Sequence, residues 1–384
     1  MSLSRRHFMQ SAVFTGTSLL LGCSKQNPPS RANPDTLRGV LPFTNDGPYA
    51  PVNTLLDEGL DGRLYTGIES LTNHKLVTPN DRFFIRTRYP QIPAPQSPWS
   101  IRLTGMVERE TTISLDWLMS QVKPMGVHLM ECAGNTLMTR FRLISAAKWS
   151  GVPIDKILAK ALRQPQALAV VISGHDQHAP SKGNAVVGAS WYLPINQLVD
   201  RGAFLATHMN DQLISRDHGQ PVRLFVPGWY GCACIKWVNE IRFVDDTQPA
   251  TSQMIEYADR THQTAIHSLA KDYRDPVVEH SAVPVRVEQH MADGQVFYRI
   301  VGVMWGGSQV TDKLVVRCDP IDPYQPVRFD PKPLTTNTWA LWSYDWRPTK
   351  TGSYTIELKF DDPTLTAKRT ASGYFNRQVQ IASI

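Results

Sequence analysis

The chain after about residue 265 consists of short runs in which apolar and polar residues alternate. These runs are "VPVRVEQ", "QVFYRIVGVMW", "KLVVRCD", "SYTIELKF" and "RQVQIAS", separated by turn segments such as "ADGQ", "WGGS" and "PTKTGS". Because successive side chains of a strand point to opposite sides, the fourth run places its apolar residues on one face: Tyr354, Ile356, Leu358 and Phe360. This pattern predicts an antiparallel, immunoglobulin-like β-sandwich over residues 265–384.

Residues 51–250 mix helical and strand periodicities. The predicted elements are a helix at 114–122 with Ser114 as its N-cap, a helix at 154–164, a helical turn at 196–201, and buried strands at 167–174 and 222–228. The second helix would present its apolar residues on one face: Ile154, Ile157, Leu158 and Leu162. Short helices interspersed with strands indicate an α+β domain, so we expect an α+β domain followed by an all-β domain.

The first 50 residues predict export. Arg5 and Arg6 precede an uncharged stretch at 11–22, which is too short to span a bilayer and is typical of a signal segment over residues 1–23. The paired arginines match the twin-arginine export signal, which predicts a periplasmic location. "LLGC" at 20–23 resembles a lipobox, which would place a lipid anchor on Cys23; cleavage without lipid is the alternative. Residues 24–50, rich in Pro, Asn and Gly, predict a flexible tether.

Charge and cysteine content narrow the function. The net charge is +6, but no run of Lys and Arg is interleaved with aromatic residues, which argues against nucleic-acid binding. A mild positive excess favours anionic substrates or acidic partners. Beyond Cys23 the cysteines are too few for a disulfide scaffold: Cys132, Cys232, Cys234 and Cys318. No zinc-type cluster accompanies the Cys232–Cys234 pair, so small buried side chains are favoured there over metal ligands.

Four segments carry candidate chemistry: "FFIRTRYP" (83–90), "MECAGN" (130–135), "SRDHGQPVRLFVPGWYGCACIKW" (215–237) and "MIEYADR" (254–260). A thiolate is a soft ligand for a metal, and cationic donors suit a phosphate-bearing cofactor and an oxyanion substrate. Each feature also has a structural interpretation. His218 could cap a turn, and Arg223 and Lys236 could be surface charges.

The combined motifs resemble the sulfite oxidase family of molybdenum enzymes. The resemblance covers residues 70–384 and rests on "CAGN", "AAKWSGVPIDKIL", "GAS" at 188–190 and, above all, "RDHGQPVR…VPGWYG…IKW". It implies a molybdenum–molybdopterin cofactor with one pterin per metal. It also implies that the C-terminal sandwich is a dimerisation domain, hence a homodimer.

The resemblance also implies roles for particular residues. Cys132 would bind molybdenum directly. The cofactor-binding residues would be Phe84, Arg86, Thr87, Arg88, Asp176, His218, Arg223, Ala233, Cys234, Ile235 and Lys236. Tyr257 would be the active-site tyrosine, and Arg86 and Arg369 would face the substrate, with Arg377 a poorer alternative to Arg369.

The sequence departs from the family pattern mainly around the substrate. Thr136 and Leu137 stand where the family often has two arginines, and Thr87 and Arg88 replace an Asn-His pair. The loop between Cys132 and Trp149 is shorter than in animal-type members. Arg88, Arg140 and Arg142 are candidates to restore the positive charge.

The resemblance implies oxidation of sulfite to sulfate. Because Cys-x-x-Cys-His is absent, the chain carries no heme motif, and we expect an external acceptor such as a cytochrome c to take the electrons singly. Two alternatives remain. One is molybdopterin-dependent oxo transfer with another S- or N-oxide, and the other is a non-enzymatic, lipid-anchored binding protein.

Overall fold

The computed structural model describes residues 35–46, 63–87, 98–176 and 189–384. The predicted signal segment, Cys23 and Arg88 lie outside these residues. Part of the predicted tether lies inside them and is not a flexible linker. Thr36–Leu41 forms strand β1 and pairs antiparallel with a strand of the C-terminal region.

The region before residue 250 was expected to be an α+β domain, but it contains mostly β-sheet with short helices. Its remaining strands are β2 Arg63–Leu64, β3 Ile85–Arg86, β4 Ser100–Gly105, β5 Thr111–Ser114, β6 Lys123–Glu131, β7 Ile144–Pro153, β8 Ala169–Gly174, β9 Ser190–Pro194, β10 Phe204–Met209, β11 Gln212–Leu213, β12 Arg223–Phe225 and β13 Val238–Val244. They form two five-stranded sheets, one in the order β11-β10-β7-β6 with β12 on β10, the other β5-β4-β13-β8-β9, and a β2–β3 pair. Only β13 and β4 pair in parallel among these described strands.

The helices are short. They are α1 Leu115–Ser120, α2 Ile154–Leu158, α3 Ile195–Asp200, α4 Ser252–Glu256 and α5 Lys368–Ala371. Ser114 caps α1 as predicted, accepting a hydrogen bond from the Trp117 amide at 3.2 Å. The described residues contain no helix long and apolar enough to cross a membrane.

The predicted helix at 154–164 is wrong in its second half. The chain leaves α2 after Leu158, and Leu162 is 69% exposed instead of lying on the apolar face. The physical reason is competition from another segment. The Leu162 carbonyl accepts from Glu108 N at 2.8 Å, and Gln164 N donates to Met106 O at 2.9 Å, so the backbone pairs across the structure instead of continuing the helix.

The C-terminal strands are β14 Ser281–Ala292, β15 Gln295–Trp305, β16 Leu314–Arg317, β17 Gln325–Pro326, β18 Arg328–Phe329, β19 Ala340–Trp346, β20 Gly352–Phe360 and β21 Arg377–Ile381. They build one sheet in the order β1-β14-β15-β19-β18 and a second in the order β17-β16-β20-β21. The predicted alternation in β20 is confirmed, because Tyr354, Ile356, Leu358 and Phe360 are buried. A hydrophobic cluster contains residues of both sheets, including Ile300 and Ile356.

The two regions are packed against each other beside residues 129–135. Leu129 N donates to Asn337 O at 2.7 Å, the Trp305 indole donates to Glu131 Oε2 at 2.8 Å, and the Tyr374 hydroxyl donates to Asn135 O at 2.9 Å. The C-terminal region therefore reaches the segment that carries Cys132.

Candidate active site

Cys132 lies at the end of β6 in a tightly bonded turn. Its amide donates to Leu143 O at 2.9 Å, and the Gly134 amide donates to its Sγ at 3.4 Å. Asn135 is fully buried and holds the turn, since its side chain donates to Glu131 Oε1 at 3.1 Å and accepts from Leu143 N at 3.0 Å. The asparagine of "CAGN" thus fixes the backbone that presents the thiol.

The Cys132 thiol is 8% exposed. Burial raises its pKa, which the Gly134 amide, Arg86 and Arg260 partly oppose. A bound metal ion would displace the thiol proton, because the thiolate is the form that binds metals. Among the described residues, no group of three or more His, Cys, Asp or Glu side chains could hold a metal ion.

Two cavities meet at Cys132. The inner cavity, of about 890 Å³ with its open mouth included, is lined by most of the predicted site residues: Phe84, Arg86, Thr87, Cys132, Asp176, His218, Arg223, Cys234, Ile235, Lys236 and Tyr257. Ala233 is fully buried and does not line it, although its neighbours do. The outer cavity, of about 1180 Å³ measured in the same way, shares Arg86, Cys132 and Tyr257 with the inner one.

His218 ends a 3-10 turn, Arg216–His218, and lies 4% exposed at the wall of the inner cavity. Its Nε2 donates to Phe83 O at 3.3 Å, so Nδ1 accepts from the Ser215 hydroxyl at 2.8 Å. Burial, with Arg223 and Lys236 nearby, lowers the pKa of His218 to about 3. The imidazole is therefore neutral, and its two ring nitrogens have protein partners.

Gly219 follows this turn with a φ of +111°, a conformation that L side chains rarely adopt. A Cβ there would lie 3.0 Å from Lys236 Cβ and 3.1 Å from Arg223 Cβ. The glycine in "RDHGQPVR" therefore lets the backbone approach the two cationic side chains.

Arg223 begins β12 and is a buried cation, 4% exposed. Its Nη1 donates to His218 O and its Nη2 to Cys234 O, both at 3.0 Å, while its buried Nε has no hydrogen-bond partner among the described residues. Burial lowers the pKa of Arg223 to about 10. All of its hydrogen-bond acceptors are neutral, which leaves the positive charge for an anionic group of a ligand.

Lys236 is the second inner cation. Its Nζ donates to Thr87 Oγ1 at 2.6 Å and to Asp217 O at 2.8 Å, and lies 4.5 Å from the centre of the Trp237 ring. Burial, reinforced by Arg223, lowers the pKa of Lys236 to about 7. A bound anion would favour the charged form of this amine.

Cys232 and Cys234 are buried free thiols, as predicted for small core side chains. They also line the inner cavity, which the sequence did not indicate for Cys232. Burial raises the pKa of both thiols. The Cys232 carbonyl accepts from Gln253 Nε2 at 2.5 Å, which connects this loop to α4.

Tyr257 is the C-cap residue of α4 and lines both cavities. Burial raises the pKa of its hydroxyl to about 12, so the group stays protonated and can donate a hydrogen bond. The guanidinium of Arg260 lies 5.5 Å from the centre of its ring.

Arg369 enters the outer cavity from α5 of the C-terminal region. Its guanidinium lies between the rings of Tyr230 and Tyr374, at 5.3 and 5.2 Å from their centres, and its Nη2 donates to Arg260 O at 3.1 Å. Its buried Nη1 has no hydrogen-bond partner among the described residues. Arg369 is thus a fixed cation with a donor left for a ligand.

Comparison with known proteins shows what the chain is similar to. The description of the matching family model is "Oxidoreductase molybdopterin binding domain", over residues 88–252. Sulfite oxidase of Gallus gallus is 28% identical over 299 residues, covering 71% of this chain and 63% of that protein. Sulfite oxidase, mitochondrial, of Drosophila melanogaster is 29% identical over 202 residues, covering 49% and 34%.

Residues 88–252 therefore form a molybdopterin-binding oxidoreductase domain, and the chain is similar to sulfite oxidases. Nitrate reductase [NADH] of Solanum lycopersicum is also similar, 28% identical over 201 residues, covering 48% of this chain and 22% of that protein. The chain thus spans less than two thirds of the length of these relatives. The solved structure of the sulfane dehydrogenase SoxCD of Paracoccus pantotrophus shares the fold, with a TM-score of 0.63, 18% identity and coverage of 83% of this chain and 80% of that one.

Two of the three candidates for restoring the positive charge, Arg140 and Arg142, lie outside both cavities, and the third, Arg88, lies outside the described residues. Arg140 pairs with Asp46 at 3.7 Å and Arg142 pairs with Glu69 at 3.2 Å, and neither lines the described cavities. Arg377, the alternative to Arg369, is 3% exposed and bonded to Asp46. These three arginines are paired with carboxylates and line neither cavity, so they do not face the candidate substrate site.

Two arginines that line the outer cavity, Arg260 and Arg63, were missed in the sequence analysis. Arg260 lies three residues after Tyr257, a spacing that puts side chains on one face of a helical turn, and this signal was available in the sequence. Arg63 is opposite Arg86 in the β2–β3 pair, and both line the outer cavity. No local pattern predicts that long-range pairing.

Proposed function

We propose that this chain oxidises sulfite to sulfate with a molybdenum–molybdopterin cofactor in the inner cavity. The observation that carries the proposal is the position of Cys132, where a cavity with buried cations meets a cavity with accessible ones. The similarity to sulfite oxidases supports the choice of substrate.

The inner cavity fits a phosphate-bearing cofactor. Arg223 has a buried donor without a partner, and Lys236 has a pKa of about 7, so both would gain from an anionic group. Cys132 would bind the metal, Arg223 and Lys236 would bind the phosphate, and the predicted residues around them would contact the pterin. Molybdenum bound in this way supplies two-electron oxygen-atom transfer.

The outer cavity fits the substrate. Arg86 and Arg369 would neutralise the oxyanion, and the protonated Tyr257 hydroxyl would donate a hydrogen bond to a substrate oxygen. Sulfite and water would become sulfate, two protons and two electrons. We propose that an external acceptor such as a cytochrome c takes these electrons one at a time.

The proposal extends to organisation and location. Residues 51–250 would be the catalytic domain, and residues 265–384 an immunoglobulin-like sandwich through which two chains form a homodimer. Two C-terminal sheets with a shared hydrophobic cluster support the second domain. The Arg5–Arg6 pair and "LLGC" support twin-arginine export to the periplasm with a lipid anchor at Cys23.

A second candidate is oxo transfer in the reducing direction, with an S- or N-oxide as substrate. The specific observation in its favour is that nitrate reductases are as similar to this chain as the sulfite oxidases are. The match to an oxidoreductase molybdopterin binding domain favours either reaction over the non-enzymatic binding protein.

The test combines a metal determination with two assays on protein produced together with molybdopterin. We expect one molybdenum per chain and sulfite-dependent reduction of ferricyanide or cytochrome c, with the reduction absent in Cys132→Ser. The second candidate would be established if molybdenum-loaded protein shows no sulfite-dependent activity but oxidises reduced viologen when an S- or N-oxide or nitrate is added. Folded protein that acquires no molybdenum would contradict both.

A further inference from the structure

Arg260 places a positive charge directly beside Cys132. It belongs to the 3-10 turn Asp259–Thr261 that follows α4. A Cβ built on Gly134 would lie 3.7 Å from Arg260 Nη1 and 3.7 Å from Cys132 Sγ. The guanidinium and the proposed metal ligand therefore flank the same small space in the outer cavity.

The guanidinium of Arg260 is not neutralised. Within the described parts of the chain, no salt bridge or side-chain hydrogen bond holds it, and its contact is with the ring of Tyr257 at 5.5 Å. Its backbone carbonyl accepts from Arg369 Nη2 at 3.1 Å, which ties the positions of the two arginines together. Arg260 itself is exposed, so its charge is accessible from solvent.

The lining of the outer cavity has an excess of positive charge. It contains four arginines and one carboxylate: Arg63, Arg86, Arg260, Arg369 and Asp259. Arg63 and Arg86 are cross-strand partners at the edge of this cavity. The planar fork of a guanidinium matches two oxygens of an oxyanion.

We propose that Arg260 is a specificity-determining residue that binds the substrate beside Cys132 and selects small sulfur oxyanions with two negative charges. The inference rests on the proposed oxidation of sulfite. Arg260 supplies the charge that neither Thr136 nor Leu137 can provide. Arg86 and Arg369 would contact the same dianion from other sides of the cavity.

The test uses molybdenum-loaded protein and the variants Arg260→Gln and Arg260→Lys. We expect Arg260→Gln to raise the KM for sulfite about tenfold, with kcat within about twofold and molybdenum content unchanged, because a charge-assisted contact is lost. Arg260→Lys keeps the positive charge but loses the paired donors of the guanidinium. Its KM for sulfite should therefore lie between that of the parent protein and that of Arg260→Gln. The dissociation constant for sulfate, measured by calorimetry, should weaken about tenfold in Arg260→Gln.

Arg347→Gln is the matched control. Arg347 is also exposed and lies over an aromatic ring, 5.4 Å from the centre of Phe297, but it lines neither cavity. Its substitution should leave KM and sulfate affinity unchanged. Equal losses in Arg347→Gln and Arg260→Gln would overturn the proposal, because the effect would then reflect net charge alone.

Two further outcomes separate this inference from the proposed function. If sulfate binding depends on Arg260 but the protein has no sulfite activity, the result would support a binding site for dianions and would contradict the proposed oxidation of sulfite. A loss confined to kcat, with KM and sulfate affinity unchanged, would overturn the inference, since it would indicate a displaced Tyr257 and not a lost substrate contact.

Discussion

The two cavities that meet at Cys132 use the same kinds of cationic side chain in opposite environments. In the inner cavity burial lowers the pKa of His218 to about 3, of Lys236 to about 7 and of Arg223 to about 10. In the outer cavity Arg260 is exposed, and Arg86 and Arg369 are partly exposed. Buried charge is costly unless an anion compensates it permanently, whereas exposed charge is hydrated when no ligand is bound. The difference separates a site for a resident cofactor from a site for an exchanging substrate.

The origin of the residues differs in the same way. Arg223 and Lys236 come from one segment, 215–237, in which Arg223 donates to the backbone carbonyls of His218 and Cys234. Arg369 comes from α5, and Arg260 from the turn after α4. The two proposed phosphate-binding cations are thus close in the sequence, whereas the substrate-facing arginines come from separate parts of the chain.

The largest expected effect is at the junction of the cavities. Cys132→Ser should abolish turnover without unfolding the protein, because a serine hydroxyl is a poor substitute for a thiolate ligand. Cys318→Ser is the control. Cys318 is a similarly buried free thiol in the C-terminal cluster, and its variant should retain activity per folded molecule. Activity comparable to the parent in Cys132→Ser would refute the metal assignment.

Substitution of one arginine from each cavity tests whether the inner cavity binds the cofactor and the outer cavity binds the substrate. Arg223→Met should lower cofactor content at least about tenfold, because a charge-assisted contact to phosphate is worth about 1.5–3 kcal/mol. Arg369→Gln should retain the cofactor but lower kcat/KM about 10- to 100-fold, for the same energetic reason at the substrate. Molybdenum analysis and steady-state kinetics measure the two effects.

Arg377→Met controls for the loss of a buried arginine. Arg377 is 3% exposed, and burial lowers its pKa to about 10, as it does for Arg223, but Arg377 lies outside both cavities. Its variant should lose stability while its folded fraction retains cofactor. Equal cofactor loss in Arg223→Met and Arg369→Gln would contradict the proposal that the inner cavity binds the cofactor and the outer cavity binds the substrate.

The free energy of unfolding should decrease at acidic pH because His218 is buried in its neutral form. The folded protein binds fewer protons than the unfolded chain between the folded pKa of about 3 and the ordinary value of 6.5, so the free energy of unfolding falls as the pH falls through this range. The contribution is roughly 2 kcal/mol by about pH 5. Urea midpoints of cofactor-free protein should fall toward acid, and less so in His218→Gln. His74→Gln, at an exposed histidine, should follow the parent; identical pH profiles for both variants would contradict the assignment.

Ionic strength should have the smallest effect, and only on the outer cavity. Raising the salt concentration from about 0.01 to 0.15 M shortens the Debye length from about 30 to about 8 Å, which screens exposed charges more than buried ones. We expect the KM for sulfite to rise a few-fold over this range while molybdenum content stays constant. A parallel loss of cofactor would show that the inner cations are as accessible as the outer ones.

Local sequence determined the arrangement of the His218–Arg223 part of the inner cavity. The segment "RDHGQPVR" brings His218, Gly219 and Arg223 together through a 3-10 turn and a strand, so short-range backbone geometry places them. Alternation in "SYTIELKF" likewise determined which face of β20 is buried, because each strand residue faces the side opposite to its neighbours. The motifs around Cys132 predicted the family for the same reason: their function depends on local spacing.

Only the tertiary structure decided which charges reach the substrate. Arg140 and Arg142 were plausible from their positions after Cys132, but carboxylates from distant segments, Asp46 and Glu69, pair with them. Arg63 and Arg369 lie far apart in the sequence and meet in one cavity through strand pairing and the packing of the C-terminal region. Periodicity records which face of an element is buried, whereas the partner of a long, flexible side chain depends on what the rest of the fold brings within its reach.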